Sequence, residues 1–240
     1  MALNKKYIIL KDDDAGVDLE KLKKWVDIVV KNDAKGSIGV IGKHLNDKKL
    51  QVFLNSLDQN TIEIFCHGYY HTHSPYYLNK IIRRNLPKTE FNKDKKNHGL
   101  SLKKYREDER KYLNSSTVSF GPQGNIWNEN IIDPLLQNSF KLMFSWENVG
   151  GGIHTIPLSS NFRQNSLEEF IKSYERKKDD LIYTLQFHHA KLTDKKFKLM
   201  EEVIDFLKNK EKRIFVTPSE LLEISKNDKE IYSLMIGKND

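Results

Sequence analysis

The chain has a single cysteine, Cys66, in 240 residues. That excludes an internal disulfide and any zinc site built from several thiolates. Metal chemistry, if the chain supports it, must rest on histidine and carboxylate. Long apolar runs are equally scarce, and those present, such as Tyr7-Ile8-Ile9-Leu10, are short and bounded by charge. The expectation is a chain with neither a transmembrane segment nor a signal-peptide core, working in the cytoplasm. Charge of one sign is also lacking: 40 Lys and Arg face 33 Asp and Glu, a net +7. So thin an excess, with no recognised motif beside it, does not point to nucleic acid. Core material is plentiful, with 38% hydrophobic residues, 3 Trp, 10 Tyr and 12 Phe, which excludes a disordered chain.

Strand and helix signals alternate along the sequence. Residues 7–10 read as a strand that stops at Lys11-Asp12-Asp13-Asp14-Ala15-Gly16. Asp18 caps a helix whose apolar positions Leu19, Leu22, Val26, Val29 and Val30 follow the helical period. Strands are predicted at 37–41, 61–66, 117–120, 140–144, 181–187 and 213–216. Helices are predicted at 45–57, 102–113, 128–136 and 194–208, after a capping box of Ser166 and Glu169, and from Pro218 onward. This alternation predicts one α/β domain over residues 1–240, a distorted (β/α) barrel of about seven parallel strands. A basic insertion at about 80–104 interrupts it.

In such barrels chemistry gathers where strands end, and the polar clusters of this chain fall at those points. His67 and His71 stand four residues apart, which on a helical turn brings two imidazoles to one face and lets both reach one metal ion. Gly68 stands where a zinc-protease helix would carry its glutamate, which argues against a peptidase. Asp12, Asp13 and Asp14 place three carboxylates side by side, a repulsion that a cation or a hydrogen-bond network must offset. Cys66 reads as a small buried apolar residue and His73 as a loop residue near the histidine pair.

The ordered set of Asp12-Asp13-Asp14, His67-Gly68-Tyr69-Tyr70-His71, Phe120-Gly121-Pro122-Gln123-Gly124, Trp146 and Leu185-Gln186-Phe187-His188 resembles the polysaccharide deacetylase family. That family is also called the NodB-homology or carbohydrate esterase 4 family. The ending Ile214-Phe215-Val216-Thr217-Pro218-Ser219-Glu220-Leu221 is similar to its last strand and helix. The resemblance implies a metal-dependent hydrolase that removes an N-acetyl or related acyl group from a sugar, with one divalent ion, zinc by preference.

Carried over by position, the resemblance makes Asp13 the general base, His188 the general acid, and Asp14, His67 and His71 the metal ligands. A register shifted by one would use Asp12 and Asp13 instead, and His189 is the alternative to His188. Pro122, Gln123, Gly124 and Trp146 become substrate-binding candidates, together with the aromatics Tyr69, Tyr70, Tyr76 and Tyr77. The chain departs from the pattern twice. Gly68 replaces a hydroxyl residue, and Phe120 stands where an arginine orients the base, leaving Lys11 or Arg163 to substitute. The expected substrate is an acetylated amino sugar in surface-polysaccharide biosynthesis, nucleotide- or lipid-linked. The insertion reads first as a solvated excursion whose charge serves solubility, with capture of a substrate phosphate by Arg83 and Arg84 as the alternative for that segment. The alternative is a non-catalytic carbohydrate-binding relative of the same fold.

Overall fold

The computed structural model describes residues 5–71, 90 and 95–237. His73, Tyr76, Tyr77, Arg83 and Arg84 lie outside the described residues, as does most of the basic insertion. The elements run β1 (Tyr7–Ala15), α1 (Leu19–Lys31), β2 (Gly36–Val40), α2 (Lys48–Asn55), β3 (Ile62–Cys66), α3 (Lys95–Tyr112), β4 (Ser119–Phe120) and α4 (Ile132–Gln137). Then follow β5 (Leu142–Ser145), β6 (His154–Pro157), β7 (Ser160–Asn161), α5 (Leu167–Tyr174), β8 (Ile182–Phe187), α6 (Asp194–Asp205), β9 (Ile214–Phe215), α7 (Pro218–Ser225) and α8 (Lys229–Ile236).

All named strand pairs are parallel, in the order β6-β5-β4-β3-β2-β1-β8-β7, with β9 on the start of β1. The sheet curls into the expected distorted α/β barrel. Residues 158–159 span the seam between its ends: the Leu158 N–H donates to Ser145 O on β5 at 2.9 Å and the Ser159 N–H to Thr184 O on β8 at 3.1 Å.

Alternating side chains sort the core into two clusters. Ile8, Leu10, Ile38, Val40, Ile62, Ile64, Cys66 and Leu185 point outward, under helices that contribute Leu22, Trp25, Val29, Met200, Val203 and Ile204. Tyr7, Ile9, Phe65, Leu142, Phe144, Ile156 and Ile182 point inward, and Leu221, Ile231 and Met235 of α7 and α8 complete that inner cluster. β9 pairs with Tyr7 and Ile8, and Glu63 at the start of β3 accepts from the Ser219 N–H at 2.8 Å, so α7 closes the end where the strands begin. The open end is where they finish.

Helix ends follow the sequence. Asp18, Asp47, Ser166, Thr193, Thr217 and Asp228 each accept a backbone N–H of the first turn that would otherwise lack a partner. The reciprocal capping box forms at Thr217 and Glu220. At Ser166 it does not, because the Glu169 carboxylate takes the Asn165 N–H at 2.8 Å instead.

Other sequence expectations shift. β1 continues to Ala15, because its pairing with β8 runs on to Asp12 and its pairing with β2 to Ala15. α3 begins at Lys95 rather than near 102. The short strands β6 and β7 and the separate helix α8 had no periodic signal to announce them.

One buried cation ties the closed end together. Arg213 donates to Tyr174 Oη at 2.6 Å, to the carbonyls of Asp180 and Lys178 at 2.9 Å each, and to Tyr7 O at 3.2 Å. Arg213→Met would strand these acceptors in a site that is 3% exposed. The expected cost is about 2–4 kcal/mol, or a melting temperature lower by on the order of 5–12 °C in calorimetry. A loss below one degree would show that the guanidinium contributes nothing there.

Candidate metal centre and active site

β1 carries Asp12, Asp13 and Asp14 to the open end, and the three carboxylates go to three different partners. A break in register between Asp12 and Ala15 in the pairing with β2, together with φ 70° at Asp14, marks a bulge.

Asp12, before the bulge, faces outward. Its carboxylate accepts from the His189 N–H at 2.9 Å and from His189 Nδ1 at 2.5 Å, while His189 Nε2 donates to Val17 O. With both ring nitrogens engaged and no exposure, His189 is a locked imidazolium. Burial opposes its charge, but Asp12 outweighs burial and raises it to about 9.

Asp13 faces inward. Lys11 Nζ donates to its Oδ1, and Gln186 Nε2 donates to Oδ2 at 2.6 Å. Gln186 is itself held by Asn125 Nδ2 at 3.0 Å. Burial pushes Asp13 up, but Lys11, His67 and His188 together hold it below its usual value. The Lys11 ammonium lies 5.1 and 5.2 Å from the centres of Phe65 and Phe144. Lys11 is thus the cation beside Asp13, whereas Arg163 is exposed and Phe120 packs edge-on against Phe140 in the outer cluster.

Asp14, turned by the bulge, meets the histidine pair. Its Oδ1 lies 2.8 Å from His71 Nε2 and 3.4 Å from His67 Nε2. Burial would raise the Asp14 carboxyl, but the two imidazoles hold it far below the usual carboxylate range.

His67 leaves the end of β3 past Gly39, whose missing Cβ would sit 3.1 Å from the His67 Cβ. Its Nδ1 is 2.7 Å from Gly121 O. A carbonyl only accepts, so Nδ1 carries the proton and Nε2 presents its lone pair. The loop then turns through Gly68 at φ 80° and His71 at φ 47°. One atom each of Asp14, His67 and His71 lies within 4.8 Å of the others. Two imidazole nitrogens and one carboxylate oxygen suit a divalent ion of zinc's kind and leave positions for water and substrate.

His188 faces the same space, its Nε2 3.9 Å from Asp13 Oδ2. Burial lowers it despite the nearby aspartates. Gln123 is fully buried, and neither polar atom of its side chain finds a hydrogen-bond partner among the described residues. Pro122 is buried and Gly124 exposed, and Trp146 is 48% exposed just beyond β5. Tyr69 is a core residue, with its hydroxyl on Asp108 at 2.8 Å, while Tyr70 is exposed. Cys66 lies in the outer cluster, where burial pushes its thiol up.

Sequence reasoning missed Glu90, buried at 4%, which accepts the backbone N–H groups of Tyr69, Tyr70 and His71 at 2.9 Å each. A lone glutamate in a lysine-rich stretch gave no signal. It missed Gln186 as a partner of Asp13 for a similar reason: the motif there was read only for its histidine.

No protein-family model and no curated protein matches the chain. Solved structures do. A protein from Mycobacterium smegmatis described as a polysaccharide deacetylase is 13% identical, over 95% of this chain and 93% of its own, with a TM-score of 0.70. A family 4 acetyl xylan esterase from Clostridium thermocellum, in complex with a cobalt ion, is 15% identical over 92% of each chain, with a TM-score of 0.65. A carbohydrate esterase 4 family pseudoenzyme from Bacillus anthracis is 15% identical over 91% of this chain, with a TM-score of 0.64. The chain spans about two thirds of that protein, at 66%. The fold is thus that of carbohydrate esterase family 4.

The His189 and Asp12 pair sets a pH dependence. A histidine raised to about 9 in the fold, against about 6.5 unfolded, contributes stability that is complete below pH about 6.5 and lost as pH rises through about 9. Denaturant unfolding of the parent and His189→Asn should show a stability gap that narrows by on the order of 3 kcal/mol across that window. A gap constant with pH would mean the ring is neutral in the fold.

Proposed function

We propose that the chain is a divergent member of carbohydrate esterase family 4, a metal-dependent hydrolase that removes the N-acetyl or related acyl group of an amino sugar. The observation that carries this reading is the convergence of Asp14, His67 and His71 beside the buried, lysine-paired Asp13. Zinc suits the donor set. A divalent ion held there supplies Lewis-acid polarisation of the acyl carbonyl and acidifies the attacking water.

The chain's own residues do the rest. Asp13 takes the proton of the attacking water, with Lys11 and Gln186 fixing the plane of its carboxylate. His188, across a 3.9 Å gap from Asp13, gives a proton to the departing nitrogen. Its lowered proton affinity makes the imidazolium a readier donor. Gln123, whose buried amide has no hydrogen-bond partner among the described residues, remains a candidate to bond the substrate, and the exposed Trp146 offers a face to a sugar ring. The substrate we favour is a cytoplasmic precursor of surface polysaccharide, nucleotide- or lipid-linked.

A second reading, a carbohydrate-binding relative without turnover, is favoured by Phe120 in the place of the arginine and by the pseudoenzyme among the structural neighbours. The two separate in one experiment: metal analysis of protein purified without chelator, with acetate release from acetylated amino sugars. Stoichiometric metal with turnover is expected. Sugar binding with no acetate released would select the second reading. Asp13→Asn and His188→Ala should retain metal and turn over at least about a hundredfold more slowly. Near-parental rates in both would overturn the assigned roles.

A further inference from the structure

The loop from His67 to His71 is neither helix nor strand, and its peptide groups must find partners individually. Its carbonyls look to the turn after β2: Gly68 O accepts from the Gly42 N–H at 2.9 Å and Tyr69 O from the Lys43 N–H at 3.0 Å. The His67 N–H donates to Val40 O at 3.0 Å, and the N–H groups of Tyr69, Tyr70 and His71 end in succession on one side chain. Glu90 Oε1 accepts from Tyr69 N, and Oε2 accepts from Tyr70 N and His71 N, all at 2.9 Å. The Ser101 hydroxyl from α3 donates to Oε1 as well.

A carboxylate has about four lone-pair sites, and all four are taken here by donors. The arrangement therefore requires an acceptor at both oxygens, which glutamine cannot supply. It also acts where the backbone is least free to choose, between Gly68 at φ 80° and His71 at φ 47°. Such a non-glycine left-handed conformation persists only where its surroundings over-determine it.

We propose that Glu90 is a positioning residue of the metal centre, whose carboxylate fixes the backbone that aims His71 at Asp14. The inference rests on the metal-site reading given above. Glu90 reaches the loop from a part of the chain with no motif to mark it. Partners one step behind a metal ligand typically govern metal affinity by about 10- to 100-fold.

Cobalt(II) is the probe. Its uptake by the apoprotein is titrated by visible absorption, and exchange of the Tyr69, Tyr70 and His71 amides is followed in parallel. Glu90→Gln keeps the size of the side chain and turns one acceptor into a donor. It should bind cobalt about 10- to 100-fold more weakly, with an altered ligand-field spectrum and faster exchange at the three amides. Arg213→Lys, which loosens the closed end of the barrel, should lower the melting temperature and leave cobalt affinity unchanged.

Parental affinity and spectrum in a folded Glu90→Gln overturn the proposal, even if the amides exchange faster, because the carboxylate would then hold only the loop. If Glu90→Gln does not fold, Ser101→Ala decides, since it removes one donor to Oε1 without touching the loop. A severalfold weaker affinity there supports the role, and an unchanged affinity refutes it. Failure of the parent itself to take up cobalt would refute the metal-site reading, and this inference with it, a result distinguishable because it precedes any substitution.

Discussion

The bulge at the end of β1 is the constraint on which the site depends. In a regular strand, Asp12 and Asp14 would share one face and Asp13 the other. Two carboxylates would then compete for the same surroundings beneath the helices. The break in register and the left-handed φ at Asp14 divide them: Asp12 goes to His189, Asp13 to Lys11 and Gln186, and Asp14 to the two imidazoles. Each negative charge thereby meets its own positive or hydrogen-bonding partner. Three adjacent acids, which in isolation repel one another, are sent to three different sets of partners within one strand end.

The inward face shows what this arrangement requires of the barrel. An isolated ammonium with no exposure is costly to bury, and removing one member of a buried ion pair typically costs about 3–5 kcal/mol. Lys11 is accommodated because Asp13 lies two residues along on the same face and two aromatic rings flank its head. Gly121 helps by leaving room: a Cβ there would come 2.6 Å from the Phe65 ring and 3.4 Å from Lys11 Cε. The same glycine's carbonyl fixes the tautomer of His67. One short turn after β4 thus serves the lysine, the ring beside it and a metal-ligand candidate.

Much of this was legible in the sequence where a signal is local. Apolar period gave α1 and α6, capping residues gave the helix starts, and polar clusters at strand ends located the site. The division of the three aspartates among their partners was not local. It depends on His189, which takes Asp12 from 177 positions away. Nor was the choice between Lys11 and Arg163, because strand alternation puts Lys11 inward only if β1 continues past Leu10, and the charge of residues 11–14 reads as the end of a strand. Burial of three successive charged residues, Lys11, Asp12 and Asp13, runs against the usual composition of strands and follows only from their partners. The strands β6 and β7 escaped because four and two residues carry no measurable period.

The two departures from the family pattern share a physical form. At Phe120 a cation is lost, and a cation reappears on β1, reaching Asp13 from within its own strand. At Gly68 a hydroxyl is lost, and Glu90 holds the same loop through its backbone. In both places this chain's own contact comes from a residue that the resemblance does not mark. Comparisons of sequence test identities at aligned positions and therefore count two losses. Comparisons of fold test where backbone lies, and backbone is what these relocated contacts preserve. The chain matches no family model and superposes on carbohydrate esterase 4 structures at 13–15% identity.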